Sequence, residues 1–163
     1  MQIRDVTNIY IIESPSNEDI IANRKEGQAL SEALNLASIK NNYFVVGSIN
    51  EFSRDFDSIL ERELKNKTEG KVSYVTLHFS MHGSKKGMAL TNNDFINWED
   101  LYNNYLKKLI NTIGYQKTTK GSIVAPIHLH FSTCNGMDAK IIATLNENSP
   151  YISLVGSNTR SEE

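Results

Sequence analysis

Two stretches of this 163-residue chain constrain its fold more than any other feature: Lys71 to Gly83, KVSYVTLHFSMHG, and Pro126 to Gly136, PIHLHFSTCNG. Each is a short apolar run rich in β-branched and aromatic residues, the pattern of a strand buried on both faces. Each then ends abruptly in a polar residue followed at once, or after one residue, by glycine. If the two are parallel neighbours, about 4.8 Å apart, His82 and Cys134 emerge at the same carboxyl edge of one sheet. Open α/β sheets place their ligand crevices at that edge. An imidazole and the chain's single thiol would then share one crevice.

The rest of the chain supplies the layers such a sheet needs. Asn8 to Ile12 is a first strand, closed by the turn residues Glu13 to Asn17. Ala29, Leu30, Ala33, Leu34 and Ala37 recur at helical spacing and predict a crossover helix over Arg24 to Ile39, with that stripe against the sheet. Tyr43 to Val46 is a second strand. Phe52, Phe56, Leu60 and Leu64 predict a second crossover helix, capped by Asn50 or Ser53. After the strand that delivers His82, segments Lys86 to Leu90 and Phe95 to Ile96 form a hairpin around Thr91 to Asp94. Asn97 caps a helix whose buried stripe is Trp98, Leu101, Tyr105 and Leu109, with Tyr102, Lys107 and Lys108 on its solvated surface. Gly114 to Ser122 is a polar loop. Past Cys134, residues Met137, Ile141 and Leu145 predict a helix packed by that stripe and beginning within a turn of the thiol. Tyr151 to Val155 is a fifth strand. Strands alternating with helices give an α/β fold, a mainly parallel sheet with helices on both faces, in one domain spanning 1–163.

Charge and cysteine count narrow the function classes. A net charge of −2 without a basic cluster argues against binding driven by phosphate neutralisation, so nucleic acid is not an expected partner. The first apolar run is too short for a signal peptide or membrane span, and no membrane partner is expected. One cysteine permits no internal disulfide, which suits a reducing, cytoplasmic compartment. His78, His128 and His130 lack a completing acidic or cysteine cluster, so they are expected to be buried imidazoles with hydrogen-bond partners and not metal ligands. Neither a metal nor a cofactor is expected.

The two motifs resemble those of the caspase-like (clan CD) cysteine peptidases, the group of caspases, metacaspases, legumain, separase and the bacterial CHAT proteases. Phe79-Ser80-Met81-His82-Gly83 matches a hydrophobic strand followed by Ser-Gly-His-Gly, except that Met81 stands where many members have glycine. Phe131-Ser132-Thr133-Cys134-Asn135-Gly136 matches a hydrophobic strand, small residues, Cys and a nearby Gly. The order His then Cys and the spacing between them also agree. The resemblance runs from the first strand to the fifth and implies a caspase-like three-layer sandwich. It also implies that the carboxyl-terminal part of the family fold is lacking, so that the chain is a natural short form, a fragment or a piece of a processed precursor.

A cysteine at a helix amino terminus beside an imidazole favours the thiolate, which makes Cys134 the expected nucleophile. His82, with a near-neutral intrinsic pKa, suits proton transfer to the leaving amine and then from water. The resemblance places oxyanion donors at the backbone amides of Gly83 and Cys134, and Gly83 without a Cβ would let a scissile carbonyl approach. For substrate binding it offers Arg24, comparable to the arginine with which caspases read an acidic side chain. Glu13, Glu18, Asp19 and Asp138 are the acidic candidates for reading a basic one. The leading expectation is a cysteine endopeptidase with a Cys-His dyad, a regulated effector cleaving a protein or peptide substrate. It would be held in check by a regulatory protein partner or by a missing carboxyl-terminal segment. The alternative is a non-catalytic caspase-like interaction module. A third reading, a doubly wound small-molecule binding domain, lacks any phosphate-binding loop after the first strand.

Overall fold

The structure, a computed structural model, describes residues 4–158. Strand β1, Arg4–Ser14, pairs in parallel with β2, Asn42–Val45, and with β3, Lys71–Ser84. On its other side β3 pairs in parallel with β8, Ile127–Ser132, which pairs with β9, Ser153–Gly156. These five strands form the parallel body of a seven-stranded sheet. The remaining two, β4 (Gly87–Ala89) and β5 (Phe95–Asn97), form an antiparallel hairpin attached to the carboxyl end of β3.

Strand alternation sorts side chains onto two unlike faces. On one face Tyr10, Ile12, Val75, Leu77, Phe79, Ile127, Leu129 and Phe131 are buried in the core. Helix α3, Ile49–Thr68, closes that face with Phe52, Phe56 and Ile59, and Phe52 stacks on Phe79 at 6.2 Å. Its amino end is capped by Ser48, whose hydroxyl accepts from the Glu51 amide. The expected stripe drifts along the helix, because 3.6 residues per turn does not sustain a strict repeat of four. Ile59 and Glu63 are fully buried, Leu60 is partly buried against the core, and Leu64 is exposed. Buried Glu63 accepts from Tyr10 Oη at 2.6 Å and Asn8 Nδ2 at 2.8 Å.

Asn97 caps α4, Trp98–Leu101, as expected, accepting from the Asp100 amide. The helix then runs through a π turn, Tyr102–Leu106, into α5, Lys107–Ile113. Tyr102 does not lie on the solvated surface: it is buried, as are Tyr105, Leu106, Leu109 and Ile110. The buried pairs Leu101 with Tyr102, Tyr105 with Leu106, and Leu109 with Ile110 recur four apart, a spacing that the wider π turn helps to keep on one side. Lys107 and Lys108 are exposed. The polar loop that follows carries its own small hairpin, β6 (Gln116–Lys117) with β7 (Ile123–Val124).

The opposite sheet face is mainly polar. It carries Glu13, Thr76, His78, Ser80, His128, His130 and Ser132, alternating with the core residues, with Ile11 of β1 buried among them. Helix α2, Glu26–Leu36, packs there, preceded by a short α1, Asn17–Ile21, that the turn residues did not signal. The expected stripe of α2 is not what it buries. Gly27 and Ser31 face inward, Leu30 and Leu34 are half-buried, and Ala29, Ala33 and Ala37 are exposed. The helix is rotated because its anchor is polar. Glu13, buried on β1, accepts from the amides of Gly27 at 2.7 Å and Gln28 at 3.3 Å in the first turn of α2. A carboxylate at that end also complements the helix dipole.

The architecture is therefore α/β, with a mainly parallel sheet and helices on both faces. Among the described residues no helix is long and apolar enough to cross a membrane.

Candidate active site

The register between β3 and β8 decides where His82 and Cys134 emerge. Ser80 pairs with Ser132 in the last step of that ladder, and each reactive residue lies two positions further on. His82, still within β3, stays on the polar face with Ser80, and Cys134 sits in the turn just past the end of the adjacent β8. Both line one cleft of about 220 Å³, together with Glu13, Asp19, Arg24, Glu26, Ser80 and Ser132.

No loop precedes the histidine. Strand β3 continues through His82 to Ser84, pairing His82 with Ala89, Gly83 with Met88 and Ser84 with Gly87 of β4. Met81, in the position where the family pattern has glycine, pairs with Ser14 of β1 and turns its side chain into the core. The side chain of His82 is 60% exposed, and its Nε2 lies 2.8 Å from Asp19 Oδ2.

Cys134 is exposed and occupies a turn, Thr133 to Gly136, closed by the Gly136 amide donating to the Thr133 carbonyl at 3.2 Å. Asn135, the third residue of that turn, is left-handed, with φ of 56°. The chain then enters a 3-10 helix, Gly136–Leu145, not the expected α-helix. Gly136, Ala139 and Ile142 face inward at the three-residue period of that helix, while Ile141 and Leu145 of the expected stripe are exposed. Cys134 therefore gains no α-helix amino terminus.

Gly83 has a structural reason to be glycine that the sequence did not disclose. A Cβ built there would lie 2.4 Å from the Cys134 carbonyl oxygen and 2.8 Å from Thr133 Cβ. The backbone beside His82 and the backbone of Cys134 are thus in direct contact. Gly136 and Gly156 pack against each other in the same way, a Cβ on Gly156 falling 2.7 Å from the Gly136 carbonyl carbon. That contact holds the cysteine turn against the end of β9. Thr133 Oγ1, buried in this turn, has no hydrogen-bond partner among the described residues.

The expected substrate-binding residues divide. Arg24 lines the cleft, but its guanidinium pairs with Asp19 Oδ1 at 3.3 Å. Glu13 lines it too, yet is buried and engaged by α2, by Tyr43 Oη and by Ser80 Oγ. Asp138 lies elsewhere, lining a separate cleft with Lys85, Trp98 and Tyr151. Glu18, in the first turn of α1, does not line the cleft.

Two carboxylates at the site are strongly influenced by histidines. The hydrogen bond from His82, then that from Ser16, pulls Asp19 down to about 2. Glu26, 3.3 Å from His78 Nε2, is held below the usual carboxylate range by that contact, which with the Ser80 and Ser132 hydroxyls outweighs its burial. Sequence reasoning did not single out Glu26, because it opens a helix whose orientation the sequence did not reveal.

On the polar face, burial pushes the pKa of His130 below its ordinary value, and nearby His78 and His128 add to the effect. His128 Nδ1 contacts Ser153 Oγ at 2.7 Å. Among the described residues no three His, Cys, Asp or Glu side chains are grouped to hold a metal ion. Neither a protein-family model nor a curated protein matches the chain.

Proposed function

We propose that the protein is a caspase-like cysteine endopeptidase in which Cys134 is the nucleophile and His82 the acid-base. The observation that carries this reading is the packing of Gly83 on Cys134, which sets the neighbour of the imidazole against the backbone of the thiol-bearing residue at one strand edge. The five-strand parallel order with helices on both faces is compatible with the caspase-like three-layer sandwich.

In this mechanism the Cys134 sulfur attacks the scissile carbonyl carbon, and the thiol proton passes to His82. The carbonyl oxygen takes up negative charge, for which the Gly83 and Cys134 amides are the proposed donors. As the carbon–nitrogen bond breaks, the imidazolium gives its proton to the leaving amine. Water, deprotonated by His82, then attacks the thioester, releases the carboxylate and returns the proton to the sulfur. The substrate is a protein or peptide, and the exposed cleft gives an extended chain access to the thiol.

The test is cleavage of a randomised peptide library followed by mass spectrometry of new termini. Wild type should cleave a defined subset, and Cys134→Ala should lose the activity by at least about a thousandfold. No new termini under any condition, with a folded wild-type chain, would sink the peptidase reading.

A non-catalytic interaction module remains the second reading. It is favoured by exposed apolar side chains at the end of α1 and the end of α2, where Ile21 is 86% and Leu36 90% exposed. Partner capture by the wild-type chain that persists in Cys134→Ala but fails in Leu36→Asp would support that reading.

A further inference from the structure

We infer that Asp19 is a positioning residue for His82, so that the proposed dyad works as a triad of Cys134, His82 and Asp19. This rests on the peptidase reading and deepens it. His82 is mostly exposed on the last turns of a strand, where packing does little to select one ring orientation. Among the described residues its one side-chain hydrogen bond is to Asp19 Oδ2, at 2.8 Å from Nε2. A carboxylate only accepts hydrogen bonds, so in the neutral ring Nε2 carries the proton and the lone pair sits on Nδ1. Nδ1 is then the nitrogen that takes the thiol proton, and the imidazolium formed is stabilised by the carboxylate on its far side.

Asp19 is itself held in place. Its amide donates to Ser16 Oγ at 3.1 Å, and its Oδ2 accepts from Ser16 Oγ at 2.8 Å and from the Ser16 amide at 3.3 Å, a reciprocal cap on α1. Its other oxygen faces Arg24. A helix with a single full turn and no buried residue has little reason to persist at the sheet edge except to hold this carboxylate.

Besides Asp19, the titratable and charged groups lining the cleft with His82 are Glu13 of β1, Arg24 after α1, Glu26 of α2 and Cys134 after β8. On the hairpin side, the cleft beside His82 is lined by Ala89, Leu90, Thr91 and Asn93, none of them ionisable. Arg24 tempers the negative charge of Asp19, so removing Asp19 acts on His82 with opposite sign to removing Arg24.

The experiment is the pH profile of Cys134 alkylation by iodoacetamide, measured on the full chain as wild type, His82→Ala, Asp19→Asn and Glu18→Gln. Wild type should show enhanced reactivity that disappears in His82→Ala. Asp19→Asn should move the alkaline limb of that enhancement to lower pH by about one unit, the usual effect of losing an opposite charge at contact distance. Glu18→Gln removes the same charge from the same helix and should leave the profile in place. The His82 ring nitrogens followed by NMR give a second reading: wild type and Glu18→Gln should show the proton on Nε2, and Asp19→Asn a mixture of the two tautomers. Superimposable profiles and an unchanged tautomer for Asp19→Asn and wild type, with His82→Ala still abolishing the enhancement, would overturn the positioning role alone. A profile indifferent to His82→Ala would instead overturn the dyad, and the positioning role with it.

Discussion

At the scale of single residues, Gly83 carries a clear prediction. A methyl group there meets backbone, not a flexible side chain, so neither side can yield cheaply. Gly83→Ala should lower stability by about 2 kcal/mol and displace the cysteine turn, reducing the rate of Cys134 alkylation in the same variant. Denaturant unfolding and thiol labelling check the two effects together. Thr133 predicts the reverse. Its buried hydroxyl is unpartnered among the described residues, so Thr133→Val replaces an unsatisfied polar group with a methyl of similar shape. The variant should be neutral or more stable by about 1 kcal/mol in urea unfolding, and a loss of that size would show that the hydroxyl has a partner.

Asp19 links the site to acid stability. Its folded value of about 2 lies below its ordinary 3.8, so its contribution is complete above 3.8 and is lost as pH falls through about 2. The stability difference between wild type and Asp19→Asn should therefore shrink on acidification across that window. A difference that grew instead would contradict the pairing. These residues were unevenly legible in the sequence. His82 and Cys134 stood out because each ended an apolar run. Asp19 was named only as a candidate for reading a basic side chain, and Glu26 not at all, because their relation to His82 and His78 depends on how α1 and α2 are laid over the sheet, which no local pattern encodes.

At the scale of elements, α2 is attached by polar chemistry. Its carboxylate anchor, Glu13, accepts from two helix amides, a phenol and a serine while almost wholly shielded from water. Glu13→Ala should cost at least about 3 kcal/mol, since several donors are orphaned at once. Gly27→Val should separately loosen α2, because even a Cβ there would sit 3.0 Å from Glu13 Cβ. Amide exchange across α2 should quicken in both variants, while that of α3 changes little.

Periodicity found most elements but misjudged which sides they bury. In α2 the alanine and leucine stripe was the strongest apolar signal, yet a polar sheet face selected Gly27 and Ser31. After Cys134 a repeat of four was read where a 3-10 helix follows a repeat of three. Around Tyr102 a π turn widened the buried side. Each miss has one cause: a departure from ideal α geometry, or a partner surface of unexpected polarity, is set by tertiary contacts.

At the scale of the whole molecule, the sheet has one apolar and one polar face, and the proposed chemistry belongs to the polar one. The apolar face, with Phe52, Phe79, Phe131 and Trp98 in mutual ring contacts, supplies the rigid side of the structure. The parallel body was legible because β1, β3 and β8 are dense apolar runs separated by helices. The extension of β3 through His82 was not, since Ser80, Met81 and His82 resemble the start of a loop until β1 is seen to pair with Ser80 and Met81 and β4 with His82.

The central claim is that Cys134 and His82 stand close enough to act on one bond. The most direct measurement is cross-linking with dibromoacetone, which alkylates a thiol and then bridges to a second nucleophile within reach of its three-carbon span. Peptide mapping of the treated chain should recover Cys134 joined to His82, and His82→Ala should leave Cys134 alkylated without a bridge. Wild-type chain in which Cys134 is alkylated but never joined to His82 would contradict the account.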